Sequence, residues 1–258
     1  MSTVSWLEPI EKRFAEENAV KWMDDHWLLS VYASVIYVVL VHAGRHWMHD
    51  KLAWSLRKPL VMWNASLAAF STLGTLTLLP PMVSALLEEG LAYSVCHRIV
   101  SGTTSHHRNL WSFLFVVFKM VELGDTAFIV LRKTPLNFLH WYHHITVMMY
   151  SWSFYSMRPG VANWFILLNF FVHSVMYTYY VVRACGYKLS HKIMQLVTCL
   201  QLSQFVVGIL ANLFAFRLQI SGEPCGITEP AFYIGLAMYG SYFVLFANFF
   251  YQRYCAKK

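Results

Sequence analysis

Seven apolar segments, each close to the length needed to cross a lipid bilayer, are the feature that most constrains the fold of this chain. A membrane-spanning helix needs about 20 mainly apolar residues and satisfies its backbone hydrogen bonds internally. The chain is 57% hydrophobic and only 13% charged, unlike an ordinary soluble domain. We therefore predict an all-α, polytopic membrane protein with seven transmembrane helices. The segments lie near residues 27–45, 59–82, 110–131, 136–156, 161–183, 192–216 and 230–252.

The residues before the first segment resemble neither a cleaved signal nor a separate domain. They carry a charged stretch through Asp25 and lack the short apolar core and small-residue cleavage site of a secretory signal. Apolar side chains recur among these charges and indicate an amphipathic segment at the membrane interface; they are Trp6, Leu7, Ile10 and Phe14. We predict one integral membrane domain over residues 1–258, with an interfacial segment at 1–26.

The basic residues predict the orientation, because cytoplasmic loops carry an excess of lysine and arginine. Seven spans place the two termini on opposite sides. The side that holds the C-terminus carries twelve of the twenty basic residues, the other side carries seven, and Lys119 lies within a span. We therefore expect a cytoplasmic C-terminus and an N-terminus in a lumen or outside the cell.

Two of the five cysteines fall on the side opposite to the C-terminus. Cys96 and Cys225 lie in loops there, and an oxidising compartment would permit a disulfide between them. Two unpaired loop thiols are the alternative. Cys185, Cys199 and Cys255 are expected to stay reduced at or within the membrane.

Polar side chains recur at helical spacing on four consecutive spans. Residues at i, i+3, i+4 and i+7 share one helix face, and ionisable groups in the hydrocarbon region are costly and commonly functional. Distances along the helices place these stripes in the cytoplasmic half of the bilayer, where they could face one enclosed cavity. The stripes are Lys119, Glu122, Asp125 and Thr126; His140, His143 and His144; His173, Met176, Tyr177 and Tyr180; and Thr198, Gln201 and Gln204.

Structural explanations compete with functional ones for these residues. Lys119 with Glu122 or Asp125 would form a buried ion pair, and glutamine or tyrosine side chains often hold membrane helices together. Three clustered histidines with a fourth on the next span favour a reaction centre instead. A seven-helix receptor or transporter could also share the topology, although a site confined to the cytoplasmic half does not suit an external ligand.

Two chemistries suit the histidines. Imidazoles are common metal ligands, and the spacing of His140, His143 and His144 occurs in membrane di-iron oxygenases and desaturases. Those enzymes need about eight histidines in several boxes, whereas this chain has no second such box; His42, His46 and His49 do share one face of the first span. Alternatively, a buried imidazole attacks a thioester and carries the acyl group, protected from water by a dry tunnel.

Five sequence boxes resemble, in order and along nearly the whole chain, those of the elongases of very-long-chain fatty acids, which are membrane 3-oxoacyl-CoA synthases. The wording around the histidines looks most like the palmitate-type branch, which acts on saturated and monounsaturated chains. The boxes are Arg57-Lys58-Pro59-Leu60, Lys119-x-x-Glu122-x-x-Asp125-Thr126, His140-x-x-His143-His144, His173-x-x-Met176-Tyr177-x-Tyr179-Tyr180 and Thr198-x-x-Gln201-x-x-Gln204.

The resemblance implies condensation of a long-chain acyl-CoA with malonyl-CoA to a 3-oxoacyl-CoA two carbons longer, with release of carbon dioxide and CoA. It also implies the endoplasmic reticulum, and six helices around a narrow substrate tunnel with the first span outside. His143 is then the acyl-accepting nucleophile and His173 its partner. Supporting roles fall to His140 and His144, to Lys119, Glu122 and Asp125 through their charge, and to Gln201, Gln204, Tyr177 and Tyr180 at the substrate.

The resemblance implies no resident cofactor or metal, because CoA thioesters are the substrates. Six basic residues stand where the CoA phosphates would enter, although the membrane orientation alone also explains them; they are Arg57, Lys58, Arg132, Lys133, Lys188 and Lys192. The net charge of +7 suits CoA and anionic lipid and does not require nucleic acid. Other enzymes of the elongation cycle and a second copy of the chain are further candidate partners.

Overall fold

The computed structural model describes residues 13–99 and 104–256, and the side chains of 104–108 lie outside its description. Within these residues the chain is all-α, as predicted, and has no strand. The helices are α1 Glu16–Asp25, α2 Leu28–Met48, α3 Arg57–Glu88, α4 Gly90–Cys96, α5 Thr104–Val121, α6 Asp125–Leu131, α7 Phe138–Ser153, α8 Ala162–Ala184, α9 His191–Ile220 and α10 Glu229–Phe250.

Five of these helices are long and apolar enough to cross a membrane: α2, α3, α8, α9 and α10, the last extended through Cys255. The other two predicted spans are helical but different in form. The segment predicted at 110–131 is divided between α5 and α6, and the one predicted at 136–156 forms a helix, α7, of 16 residues. The multi-pass character is thus confirmed, and the count of seven spans stays a prediction.

A short 3-10 turn over Glu122–Gly124 separates α5 from α6. No proline lies there; instead Gly124 lets the indole of Trp63 approach the backbone, since a Cβ at position 124 would lie 2.8 Å from the ring. A 3-10 stretch inside a helix often marks a functional position. This one lies between Lys119 and Asp125, two of the residues that the sequence assigns to the site.

Close helix packing positions the elements that carry the predicted site. The most extensive helix contacts are between α3 and α8 and between α9 and α10. Helix α2 packs on α6 and α7. At the α3–α8 contact the ring of Phe170 lies against Gly74, where a Cβ would come within 2.8 Å. Side-chain caps begin two of the helices: Ser190 accepts from the amide of Ile193, and Thr228 from that of Ala231.

Helix α1 packs on the bundle. Its Met23 is fully buried, and its Glu16 pairs with Arg98 and Arg158. The indole of Trp22 contacts that of Trp152 on α7, with 5.9 Å between ring centroids. The predicted interfacial segment is therefore held by the protein over α1, while Trp6, Leu7 and Ile10 lie outside the described residues.

A disulfide joins Cys96, at the end of α4, to Cys225, in the loop before α10. The same two loops share a backbone hydrogen bond, from the amide of Gly226 to the carbonyl of Cys96, 3.1 Å long. The other three cysteines are free thiols. The end of the bundle that carries α4 is thus cross-linked to the start of α10.

Candidate active site

A cavity of about 510 Å³ lies among α3, α6, α7, α8, α9 and α10. Polar side chains from five of these helices reach it, so the separate sequence stripes do converge. Residues from the sequence prediction that line this cavity are Asp125, Arg132, His140, His143, His144, His173, Tyr177, Tyr180, Gln201 and Gln204. Lys119 and Glu122 do not line it, because they are buried behind it.

The three histidines of α7 differ in their surroundings. The ring of His140 lies 2.9 Å, Nε2 to Oγ1, from Thr126, and its centroid is 4.4 Å from that of His144. His144 is buried, and its Nδ1 has no hydrogen-bond partner among the described residues. His143 is only partly buried, lies 4.8 Å from the Tyr242 ring by centroids, and makes no ring hydrogen bond to any described residue. Neither His143 nor His144 thus makes a ring hydrogen bond to a described residue, and His143 is the more exposed of the two.

Lys119 and Glu122 form a buried ion pair behind the cavity. The ammonium donates to both carboxylate oxygens at 2.8 and 2.9 Å, and its third bond goes to Oδ1 of Asn169 at 2.8 Å. Both charged side chains are almost inaccessible to solvent. Since removing charges from water is costly, these three bonds are what makes the burial of the ammonium tolerable.

Asn169 extends this network to His173. Its Nδ2 lies 3.1 Å from Nε2 of His173. Because the Lys119 ammonium can only donate, the amide oxygen must face it and the amide NH₂ must face the imidazole. The hydrogen-bond pattern therefore assigns the lone pair to Nε2 of His173 and the proton to Nδ1, which points toward Oε1 of Glu122 at 3.6 Å.

Asp125 belongs to a separate network. Its Oδ1 accepts from the Trp63 indole at 2.6 Å and its Oδ2 from the Tyr177 hydroxyl at 2.8 Å. The lysine of this stripe pairs with Glu122 and makes no bond to Asp125. The hydroxyl of Tyr177, predicted to meet substrate, is thus already donated to a carboxylate.

Helix α2 contacts the site through the side chain of Tyr37. The hydroxyl of Tyr37 lies 2.7 Å from Oγ1 of Thr126, which in turn contacts His140. Tyr37, Trp63 and Asn169 belong to none of the polar stripes that the sequence shows. Asn169 had a usable signal, because it is a polar residue one helical turn before His173; the other two come from distant helices, and only packing brings them to the site.

The two glutamines of α9 lie on the cavity wall. Nε2 of Gln201 is 3.1 Å from Sδ of Met176. Gln204 is buried, and its Oε1 has no partner among the described residues. Tyr180 lies at the wall but is 41% exposed, so it stands near the opening.

Arg132 alone of the six predicted phosphate-binding cations lines the cavity, where Arg183 joins it. The guanidinium of Arg57 instead donates to the carbonyls of Ala184 and Cys185 at the end of α8. Nζ of Lys133 donates to the carbonyls of His49 and Lys51, at 2.9 and 2.8 Å. The remaining three are exposed and away from the cavity wall: Lys58, Lys188 and Lys192.

The first-span histidines do not form a cluster with other ligand types. His49 contacts Asp50 next to it in the chain, and both side chains are exposed. Among the side chains that the structure describes, those of residues 13–99 and 109–256, no group of three or more histidines, cysteines, aspartates or glutamates is placed to hold a metal ion.

Comparison with known proteins finds a matching family and relatives along nearly the whole chain. The profile described as "ELO: GNS1/SUR4 family" matches residues 22–258. The chain is 42% identical over 248 residues to the very long chain fatty acid elongase 6 of Gallus gallus, covering 96% of this chain and 92% of that protein. The Homo sapiens protein of the same name is 41% identical with the same coverage, and that of Drosophila melanogaster is 41% identical over 98% of this chain and 80% of the relative.

Proposed function

Because this chain belongs to the ELO (GNS1/SUR4) family and is a fatty acid elongase, we propose that it condenses a long-chain acyl-CoA with malonyl-CoA through an acyl group carried on His143. One observation carries the proposal. His143 presents a partly buried imidazole, without a ring hydrogen bond to any described residue, to the cavity where the polar stripes of four helices meet. Such a ring keeps a lone pair available for attack.

The reaction has two balanced halves. In the first, one ring nitrogen of neutral His143 attacks the thioester carbonyl, the C–S bond breaks, and the CoA thiolate leaves and takes up the proton that the other ring nitrogen releases. In the second, malonyl-CoA loses carbon dioxide, and the enolate so formed attacks the acyl-imidazole. The C–N bond then breaks, the imidazole takes a proton from solvent, and the products are a 3-oxoacyl-CoA and free His143.

The neighbouring residues would stabilise charge as it develops. His173 lines the cavity, and its orientation is set by Asn169 and Glu122. Its Nδ1–H faces Glu122, so Glu122 and Lys119 act through His173 and do not touch substrate. With Nε2 facing Asn169 and Nδ1–H facing Glu122, His173 has no ring proton directed at the oxyanion, so it would contribute through its position and through the fixed charges behind it. His140 and His144 shape the wall beside the nucleophile.

CoA enters at the end of the cavity that carries Arg132 and Arg183. Guanidinium groups suit phosphates, to which they donate two parallel bonds. The preferred acyl chains are saturated and monounsaturated chains of the palmitate class, because the sequence around the histidine box resembles that branch. Gln201 and Gln204 would hydrogen-bond the substrate from α9, and Tyr180 would contact it near the opening.

In the proposed topology the chain crosses the endoplasmic reticulum membrane seven times. The segment from α5 to α6 and the short helix α7 supply the two further spans, and six spans surround the cavity while α2 lies outside. The arginines of the cavity mouth face the cytoplasm, and the Cys96–Cys225 disulfide lies at the opposite, oxidising side. In sealed microsomes an impermeant maleimide should label Cys255; a signal unchanged in Cys255→Ser would contradict this orientation.

The test of the chemistry uses purified protein, a panel of acyl-CoAs, malonyl-CoA and added chelator. Wild type should form 3-oxoacyl-CoA and a transient protein mass increase equal to the acyl group. His143→Ala should lose both, and His46→Ala, at an exposed position on α2, should lose neither. Activity abolished by chelator, or retained in His143→Ala, would overturn the assignment and favour metal-dependent chemistry.

A further inference from the structure

A second cavity, of about 100 Å³, lies farther from the first along the three helices that both share, α7, α8 and α10. On α7, His143 and His144 line the first cavity, and Val147 and Ser151 line the second, one and two turns later. On α10, Phe246 belongs to the first cavity and Met238 to the second. Among the described residues, none lines both.

The wall of the second cavity is mainly apolar. Phe115, Val116, Val147, Phe154 and Ile166 contribute to it. An alkyl chain is therefore the ligand that its chemistry suits, since apolar surface gains by leaving water. Its far boundary is different, because the paired side chains of Glu16 and Arg98 lie there with Arg158.

Aromatic rings stand between the two cavities. Phe205 lines the first and Tyr239 the second, and their ring centroids are 6.0 Å apart. Tyr242 lies within 5.5 Å of the Phe205 centroid and 6.2 Å of the Tyr239 centroid. Tyr242 is fixed to α7 by its bond to Thr146 at 2.6 Å, whereas the Tyr239 hydroxyl makes no hydrogen bond to any described residue.

The ring of Tyr239 packs directly on the backbone of Gly208, where no side chain intervenes. The same ring stacks on Phe165 with centroids 4.6 Å apart, and it lies so close to Gly208 that a Cβ there would overlap Cε1 of the tyrosine. Any side chain at position 208 would displace the ring away from α9. The glycine thus determines the position of a ring that lines the second cavity.

We propose that Tyr239, seated on Gly208, determines the acyl chain length, because its ring limits passage of the alkyl tail from the catalytic cavity into the second cavity. This inference rests on the proposed function of the first cavity. A shorter side chain at 239 lets a longer tail pass, and a ring displaced from position 208 stops the tail earlier. The ion pairs at the far end set the outer limit.

The two sides of this contact give opposite expectations. Tyr239→Leu and Tyr239→Ala should shift the preferred acyl-CoA to longer chains, with Ala shifting further. Gly208→Ala should shift it to shorter chains, and Tyr239→Phe should keep the wild-type preference. A misfit of one methylene in an apolar pocket changes kcat/KM by roughly 10-fold or more, so the shifts are measurable.

Matched controls lie on the same helix. Tyr233→Ala removes an aromatic ring that is 58% exposed, and Gly240→Ala adds a Cβ where no atom lies within 4 Å. Neither should change the chain-length profile. Gel filtration in detergent shows which variants fold. If Gly208→Ala does not fold, the substitutions of Tyr239 by Phe, Leu and Ala still test the inference.

The measurement is the kcat/KM of each variant over a series of acyl-CoAs, with the length of every 3-oxo product. Shifts of opposite sign at positions 239 and 208, absent from the controls, support the inference. Active Tyr239→Ala with the wild-type profile would overturn it and leave the condensation intact. Absence of any condensation by the wild type would overturn the proposed function itself.

Discussion

Lys119 and Asn169, on α5 and α8, share a hydrogen bond of 2.8 Å that fixes which way the Asn169 amide faces. The amide nitrogen is thereby directed at Nε2 of His173. One buried lysine thus determines the proton position on a histidine of the cavity wall, although the two residues are not directly bonded. Such indirect positioning is common around catalytic groups, whose orientation depends on the residues behind them.

We expect Asn169→Leu to lower kcat by about 100-fold, the usual cost of a misplaced catalytic group. Asn169 does not line the cavity, so KM for acyl-CoA should change little. Steady-state kinetics separate the two parameters. Thr178→Ala, an exposed change on the same helix, is the control and should match wild type; unchanged kcat in Asn169→Leu would refute the role.

The buried Lys119–Glu122 pair predicts a stability effect. Lys119→Met leaves the Glu122 carboxylate buried without its cation, a change that costs about 3–5 kcal/mol in a buried pair. The double variant Lys119→Met/Glu122→Gln should recover part of that loss, since no charge remains. Thermal unfolding of detergent-solubilised protein measures both, with the exposed Lys58→Met as control. A double variant less stable than Lys119→Met would contradict the expected coupling.

Substitution of Arg132 should impair substrate binding, whereas substitution of Arg57 should lower stability. Arg132→Gln removes a guanidinium from the cavity and should raise KM for acyl-CoA about tenfold or more, since a hydrogen bond to a charged group contributes about 1.5–3 kcal/mol. Arg57→Gln removes the contacts with the end of α8 and should lower the melting temperature instead. The opposite pattern would restore Arg57 as the phosphate ligand.

The disulfide should contribute to stability because it closes a long loop. Cys96 and Cys225 are 129 residues apart, and removing a native disulfide typically costs about 2–5 kcal/mol. We expect Cys96→Ala/Cys225→Ala to unfold at a lower temperature than Cys199→Ala, which removes a free thiol. Equal melting temperatures would show that the cross-link adds nothing to folding.

Helical periodicity predicted the residues on the cavity wall well. His143, His173 and Gln204 lie there because residues at i, i+3 and i+4 share a face, and imidazole and amide groups within a membrane span favour the inward face. The all-α fold and the multi-pass topology followed from hydropathy in the same way.

Partners across helices could not be predicted from those stripes. Trp63 and Tyr37 reach Asp125 and Thr126 only because α2 and α3 pack beside α6. Arg57, a predicted phosphate ligand, donates to backbone carbonyls at the end of α8, a contact that charge bias does not predict, because that bias tells on which side of the membrane a cation lies and not which acceptor it meets. Trp63 also occupies the space left by Gly124, a contact that no spacing rule contains.

The 3-10 turn at Glu122–Gly124 rotates the second half of one polar stripe about the helix axis relative to the first half. An α-helix advances about 100° per residue and a 3-10 helix about 120°, so three residues add roughly 60° of rotation. Lys119, before the turn, therefore hydrogen-bonds to α8, while Thr126, after it, hydrogen-bonds to α2 and α7. One polar stripe of the sequence therefore faces two different sets of helices. A residue inserted at this turn would rotate every later side chain of α6 away from its partner.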